Sequence, residues 1–257
     1  MGAVRGVDAV DAVDAVDAVD AVDAVDAVDS YREWRSRLPG AVLWTRTDPR
    51  VVSGTKHRIL PDGCIDLLLL DGRLQVAGPD STAALVAAIG GRRYTAIRFP
   101  AGLGSQVLGV NAAEIRDGRP FLDQLWHARQ VIDWEQRLAA ADDKAATLED
   151  LVLNRSGSIT IDRGPAAIAA LLAGGAEINA VATALGWSQR RLHRRSLGAF
   201  GYPPSVLRRI LRFQRALTAA RSGPRPAQVA ADCGYTDQAH LARDVKALAG
   251  VPMSRLL

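Results

Sequence analysis

Two short stretches of the chain hold the side chains best suited to recognition chemistry. Arg190, His193 and Arg194 stand at i, i+3 and i+4, which puts them on one side of a helix, opposite Leu192. An arginine placed there can pair bidentately with O6 and N7 of guanine, discriminating against a wrong base by about 1–3 kcal/mol. Farther on, Gln238 carries the amide that reads adenine, with His240 and Arg243 close by. Ser188, Arg191 and Arg195 flank the first set, and Thr236 and Lys246 the second. Hydroxyls and cations at such positions suit phosphates, which anchor a protein without being read. Arg191, Arg195 and Lys246 are equally well explained as solvated charges.

Other chemistry is thinly represented. Cys64 follows the turn Pro61-Asp62-Gly63, but no basic residue in that motif lowers its thiol pKa, so a buried packing role suits it. Cys233 reads the same way. Asp62 and Asp66 are either a carboxylate pair or a turn residue and a strand-start cap. The four histidines, 57, 127, 193 and 240, are scattered, and no HxH or CxxC spacing occurs, so neither a metal nor a cofactor is expected. No GxGxxG, P-loop or GxSxG sequence is present, and no catalytic residues are assigned. An enzymatic reading requires His57, Asp62, Asp66 and Arg98 to meet around one pocket.

The elements that must position these residues follow from charge and pattern. Residues 1–29 contain one arginine and eight aspartates, a net of −7, whereas residues 164–257 contain thirteen Lys/Arg and four Asp/Glu, a net of +9. A basic C-terminal third of that size is the footprint of a polyanion binder. From Val7 to Asp29 the triplet Val-Asp-Ala repeats; period three gives neither a helical apolar stripe nor strand alternation, so 1–29 is expected to be a disordered tail. The longest run of Leu, Ile or Val is Leu67–Leu70, no apolar stretch approaches the roughly 20 residues of a membrane span, and no apolar signal segment stands at the start, so a cytoplasmic chain is expected.

Residues 30–157 read as β-rich with helices at the end. Asp62-Gly63 and Asp71-Gly72 are turn signals around Ile65–Leu70 and the alternating Arg73–Val76. Ala41–Thr45, His57–Leu60, Tyr94–Phe99 and Gln106–Leu108 are further strand candidates. Pro120 opens a helical stretch containing Val131, Trp134 and Leu138, and Asp142 or Asp143 suits the cap of another. Gly157 and Gly164 bracket a linker. Everything beyond reads as helices, including a long one from Pro204 to about Arg221.

Two segments then share one pattern. Ala182-Thr-Ala-Leu-Gly186-Trp-Ser188 and Ala230-Ala-Asp-Cys-Gly234-Tyr-Thr236 each carry a small residue, a glycine four later, an aromatic and a capping hydroxyl, followed by a helix with a basic face. The small residue lets helices approach, glycine makes the tight turn and Ser188 or Thr236 caps the next helix, which is helix-turn-helix grammar. Two such units 48 residues apart, with one long helix between, form a specific signature.

On these residues the C-terminal part resembles the AraC-type DNA-binding domain. The match is carried by Gly186-x-Ser188-x-x-x-Leu192-x-Arg194, Gly201-x-x-Pro204, Arg212, Ala216, Cys233-Gly234-Tyr235-x-Asp237-Gln238-Ala239-His240-Leu241-x-Arg243-Asp244 and Gly250. Leu60-Pro-Asp-Gly-Cys-Ile-Asp66, Asp71-Gly72, Val76-Ala-Gly-Pro-Asp80 and Phe121–Trp126 resemble the sensor half of a bacterial subgroup of these regulators. The resemblance implies an α+β chain, with a β-rich sensor or dimerisation domain at 30–157, cupin-like barrel or sandwich, and an all-α double helix-turn-helix domain at 158–257. It implies a transcription regulator acting on double-stranded promoter DNA, with RNA polymerase, a small-molecule effector and a second copy as partners. The family pattern has aromatics where Ser196, Leu207 and Val245 stand, and a proline at Met253, so a loosely packed first unit is expected unless Leu197 or Phe200 fills the space. A barrel enzyme, or an interaction module that has kept only the helical shape, are the competing readings.

Overall fold

A computed structural model describes residues 31–48, 54 and 56–257. The expectation for residues 1–29 lies outside them. Seven strands come first, β1 (Arg32–Arg35), β2 (Val42–Thr47), β3 (Lys56–Ile59), β4 (Ile65–Leu70), β5 (Arg73–Ala77), β6 (Ala84–Ala87) and β7 (Arg93–Phe99). Five form an antiparallel sheet in the order β1-β2-β7-β4-β5, and β3 pairs with β6 as a separate ribbon. The Asp71-Gly72 turn joins β4 to β5 with Leu70 opposite Arg73, and Asp71 and Gly72 both take positive φ.

Alternation along these strands decides which face is dry. Leu43, Ile65, Leu67, Leu69, Leu74, Val76, Ile97 and Phe99 point to one side and are buried there. Helices cover that side, α1 (Gly104–Leu108), α2 (Ala112–Ile115), α3 (Ala128–Ala140) and α4 (Lys144–Gly157). Val131, Trp134 and Leu138 of α3 and Leu148, Leu151 and Val152 of α4 supply the matching apolar stripes. Asp143 caps α4, accepting from the N–H groups of Ala145 and Ala146 at 3.0 Å each. Gln106–Leu108 is therefore helix, not the strand its alternation suggests. Val107 and Leu108 both enter the core, and Gly109, at φ +67°, ends the helix in a left-handed cap.

The remaining helices, α5 (Gly164–Ala173), α6 (Ile178–Ala184), α7 (Gln189–Phe200), α8 (Pro204–Arg221), α9 (Pro226–Asp232) and α10 (Gln238–Ala249), build a second core. α8 runs through its middle, burying Leu207, Ile210, Phe213, Ala216 and Leu217. Leu60, from the end of the β3 segment, belongs to this second core. The β-rich part and the helical part are thus packed onto each other.

Candidate nucleic-acid interface

In the first unit α6 turns into α7 through Gly186, at φ +63°, a conformation other residues resist. Ser188 then caps α7, its hydroxyl accepting from the Arg191 N–H at 3.2 Å. In the second unit Gly234 turns α9 into α10, but the cap is Asp237, not Thr236. The Asp237 carboxylate accepts from the His240 N–H at 2.6 Å, and a carboxylate suits the positive end of a helix better than a hydroxyl does. Thr236 instead sits 3.3 Å from His240 Nδ1 through both its N–H and its hydroxyl.

The sequence-selected side chains fall into two groups. Arg190, His193 and Arg194 are exposed together on α7, while Leu192, Ser196, Ala199 and Phe200 form its buried side. Gln238 and Arg243 are exposed on α10, as is Lys246. His240 is half-buried, its ring edge-on to Tyr235 with centroids 5.2 Å apart. Arg191 lies over the Trp187 ring at 4.7 Å, and Arg195 pairs with Asp162 at 2.9 Å. Those two cations have partners within the chain, whereas Arg190, Arg194 and Arg243 stand out from the helical surface without a hydrogen bond or ion pair among the described residues.

Helix α8 holds the units in place through its arginines. Arg209 and Arg212 both reach the buried carboxylate of Asp244 on α10, Arg212 at 3.2 Å, and the Arg212 guanidinium lies 4.2 Å from the Tyr235 ring centroid. Arg215 donates to the carbonyls of Ala173 and Cys233, at 3.0 and 3.2 Å, and so bridges α5 and the second turn. Arg208 pairs with Glu177 at the start of α6. These arginines are structural ties, and Asp244 is the one acid on which two of them converge.

The segments Leu60–Cys64 and Val76–Asp80, which the sequence marks without explaining, meet the helical domain here. In Leu60–Cys64 the Pro61 carbonyl accepts from Gln214 Nε2 of α8 at 2.7 Å, and Gly63, at φ +82°, lies against Leu207 and Tyr202. In Val76–Asp80 a Cβ on Gly78 would stand 1.7 Å from the Ile115 carbonyl oxygen, so only glycine fits. Pro79 of that motif packs beside Gly201, the left-handed residue ending α7, and Asp80 forms a two-pronged pair with Arg119 at 2.6 and 3.0 Å. The ribbon touches the end of α10, with Arg58 donating to the Ala249 carbonyl at 2.6 Å and the Ala83 N–H to that of Leu248 at 2.7 Å. α1 and α2 pack on α7.

Of the four residues an enzyme would need together, three meet. Arg98 lies 3.3 Å from Asp66 and 3.8 Å from Asp62, but His57 sits on Asp48 at 3.2 Å, beside Arg46 and Tyr94. Cys64 and Cys233 are buried free thiols, and burial pushes both pKa values up, which makes them poor nucleophiles. No group of three His, Cys, Asp or Glu that could hold a metal occurs among the described residues, and no helix there is long and apolar enough to cross a membrane.

Two helix-turn-helix units on one connecting helix, each presenting basic side chains on the exposed face of its second helix, make up an AraC-type DNA-binding domain. Residues 168–257 match a family described as a helix-turn-helix domain, and residues 41–129 match a domain of unknown function (DUF6597). No curated protein sequence matches the chain. Among solved structures, ToxT from Vibrio cholerae O395 is similar, at 9% identity and TM-score 0.45, covering 83% of this chain and 98% of that one. Unsaturated fatty acid-bound wild-type ToxT from Vibrio cholerae strain SCE256 is similar at 11% identity and TM-score 0.43, covering 83% and 93%.

Proposed function

We propose that the protein is a cytoplasmic, sequence-specific transcription regulator that binds promoter DNA through α7 and α10. Its β-rich domain, with the boundary at residues 157/158, modulates that binding in response to a small molecule. RNA polymerase and a second copy of the chain are its further partners. The observation that carries the reading is the doubled unit, with Arg190, His193 and Arg194 exposed on the first half of α7 and Gln238 and Arg243 on the first half of α10. Because the two helices carry different side chains, the site read by one chain is asymmetric, with two half-sites about one DNA turn, or 34 Å, apart. His240, on α10 beside Gln238, and Ser188 and Thr236, from the turns, serve this surface, and Arg191, Arg195 and Lys246 touch phosphates. The direct contacts between β-rich motifs and α7, α8 and α10 give modulation a physical route.

Selection of bound sequences from random duplexes at two salt concentrations tests this. The expected result is a two-part motif and an affinity that falls steeply with salt. Arg194→Ala and Arg243→Ala should each relax one half-site and cost about 1–3 kcal/mol. Arg195→Ala and Lys246→Ala should instead weaken all sequences alike and reduce the salt slope by about one each. Selection that returns no motif sinks the proposal.

A further inference from the structure

The face of the five-stranded sheet away from α3 and α4 is not apolar throughout. Strand register sets Val42, Arg98, Asp66 and Ala77 in one row across it, and Trp44, Ala96, Leu68 and Gln75 in the next. Arg98 stands mid-face on the central strand β7, its side chain only 9% exposed. Its Nε donates to Asp66 Oδ1 at 3.3 Å and lies 3.8 Å from Asp62 Oδ2. The two terminal nitrogens of this guanidinium, four N–H donors, have no hydrogen-bond partner among the described residues. Neither nitrogen is sealed from solvent. An arginine more than nine-tenths buried, whose four terminal donors face solvent instead of protein, offers an acceptor a ready recognition group.

The surroundings narrow what that is. Asp66 Oδ1 also accepts from Trp44 Nε1 at 2.8 Å, and Asp62 Oδ1 from the Cys64 N–H at 2.8 Å, while the second oxygens of both acids accept no hydrogen bond. Trp44 and Tyr31, with ring centroids 6.1 Å apart, wall one side, and Leu68 and Ala96 lie in the adjoining row. One cation and two acids leave the cluster net negative, so a simple carboxylate is a poor occupant and a simple amine leaves the guanidinium fork empty. A molecule carrying both groups satisfies both. The fork takes a carboxylate bidentately, the free carboxylate oxygens take an ammonium, and the rings and aliphatic row take an apolar side chain.

We propose that Arg98, Asp62, Asp66 and Trp44 form a binding site for a free α-amino acid with an apolar side chain, and that this is the effector of the regulator. The site has its own link to the DNA-binding half. Asp62 belongs to the loop whose Pro61 carbonyl is held by Gln214 of α8 and whose Gly63 lies on Leu207 and Tyr202. An ammonium drawing Asp62 inward therefore acts on the helix that joins the two DNA-reading units. The effector role rests on the function proposed above; the binding site does not.

The test begins with calorimetry on the full chain, without DNA, against each of the twenty L-amino acids at millimolar concentration. Binding of at least one apolar member is expected. The N-acetyl form of the amino acid that binds most tightly, which lacks the ammonium, and its amide, which lacks the carboxylate, should each bind at least tenfold more weakly than the free amino acid. Arg98→Lys keeps the charge that the two acids need but loses the fork, and should weaken binding at least tenfold while the thermal midpoint moves by only a few degrees. No binding by any apolar amino acid, equal binding of either capped analogue, or an unaltered Arg98→Lys variant each overturns the site. The bound amino acid should then shift affinity for a selected duplex at least fivefold. Binding without that shift overturns the effector role alone, and a failed DNA selection leaves the calorimetry unaffected.

Discussion

Ser196 shows how one residue can depart from its family's pattern without loosening the fold. Where an aromatic is usual, this hydroxyl is fully buried and donates to the Tyr202 carbonyl at 2.8 Å. Phe200, four residues along the same face, and Tyr202 are themselves fully buried, so two rings already stand in the core that Ser196 joins. The core-facing residues of α7, Leu192, Ser196, Ala199 and Phe200, are all buried. Ser196→Ala should cost about 1 kcal/mol, the worth of one buried hydrogen bond. Ser196→Phe, although it restores the family residue, should cost about 1–3 kcal/mol through overpacking. Urea unfolding measures both, and a stabilised Ser196→Phe would refute the packing argument. Glu149 governs a different property. Burial would raise its pKa, but the Ser36 hydroxyl and the Arg37 N–H and Nε, all within 2.7 Å, hold it below the usual range. A lowered carboxylate contributes stability that is complete above its unfolded pKa of about 4.3 and is lost as pH falls through the folded value. Glu149→Gln should therefore lower stability at pH 7 and flatten its decline below about pH 4.5, as read from unfolding curves at several pH values.

At the scale of elements, what was legible in the sequence was local. Both turns, the Ser188 cap, the Asp143 cap and the span of α8 follow from glycines, short polar residues and prolines whose effect ends within a turn. β1 and β6 escaped because one is exposed along its whole length and the other is four small or aliphatic residues, so neither carries a strong alternating signal. In the candidate site, the exposed faces of α7 and α10 were readable from spacing, because helical periodicity fixes which residues share a side. The meeting of Pro61 with Gln214, or of Arg98 with Asp62, was not, since it depends on how distant segments dock. The same holds for Asp244, whose value lies in the α8 arginines it faces. Asp244→Asn should cost about 2–3 kcal/mol, less than a fully buried pair because Arg209 remains 42% exposed, and should loosen the second unit first. Hydrogen exchange in α9 and α10 rising ahead of that in α3 and α4 is the expected sign, and uniform loss of protection would count against it.

Across the whole molecule, charge is distributed against its own function. The basic helical third must approach a polyanion, yet the first 29 residues of the same chain carry a net of −7. Removing them changes the net charge from +4 to +11, without touching any residue of the helix-turn-helix units. Such a tract repels duplex DNA at a distance, and the repulsion is screened over about 30 Å at 0.01 M salt but only about 10 Å at 0.1 M. It should therefore weigh most on non-specific binding, which is almost wholly electrostatic, and least on the choice among sequences, which rests on contacts at base edges. A chain beginning at Ser30 is expected to bind random-sequence duplex several-fold more tightly than the full chain near 50 mM salt. The two affinities should converge as salt rises toward 0.3 M, while the selected motif stays the same. Fluorescence anisotropy titrations at four salt concentrations read this directly. Equal affinities at the lowest salt would show that the aspartates are electrically silent toward DNA, and a changed motif would show that they act at the reading surface itself.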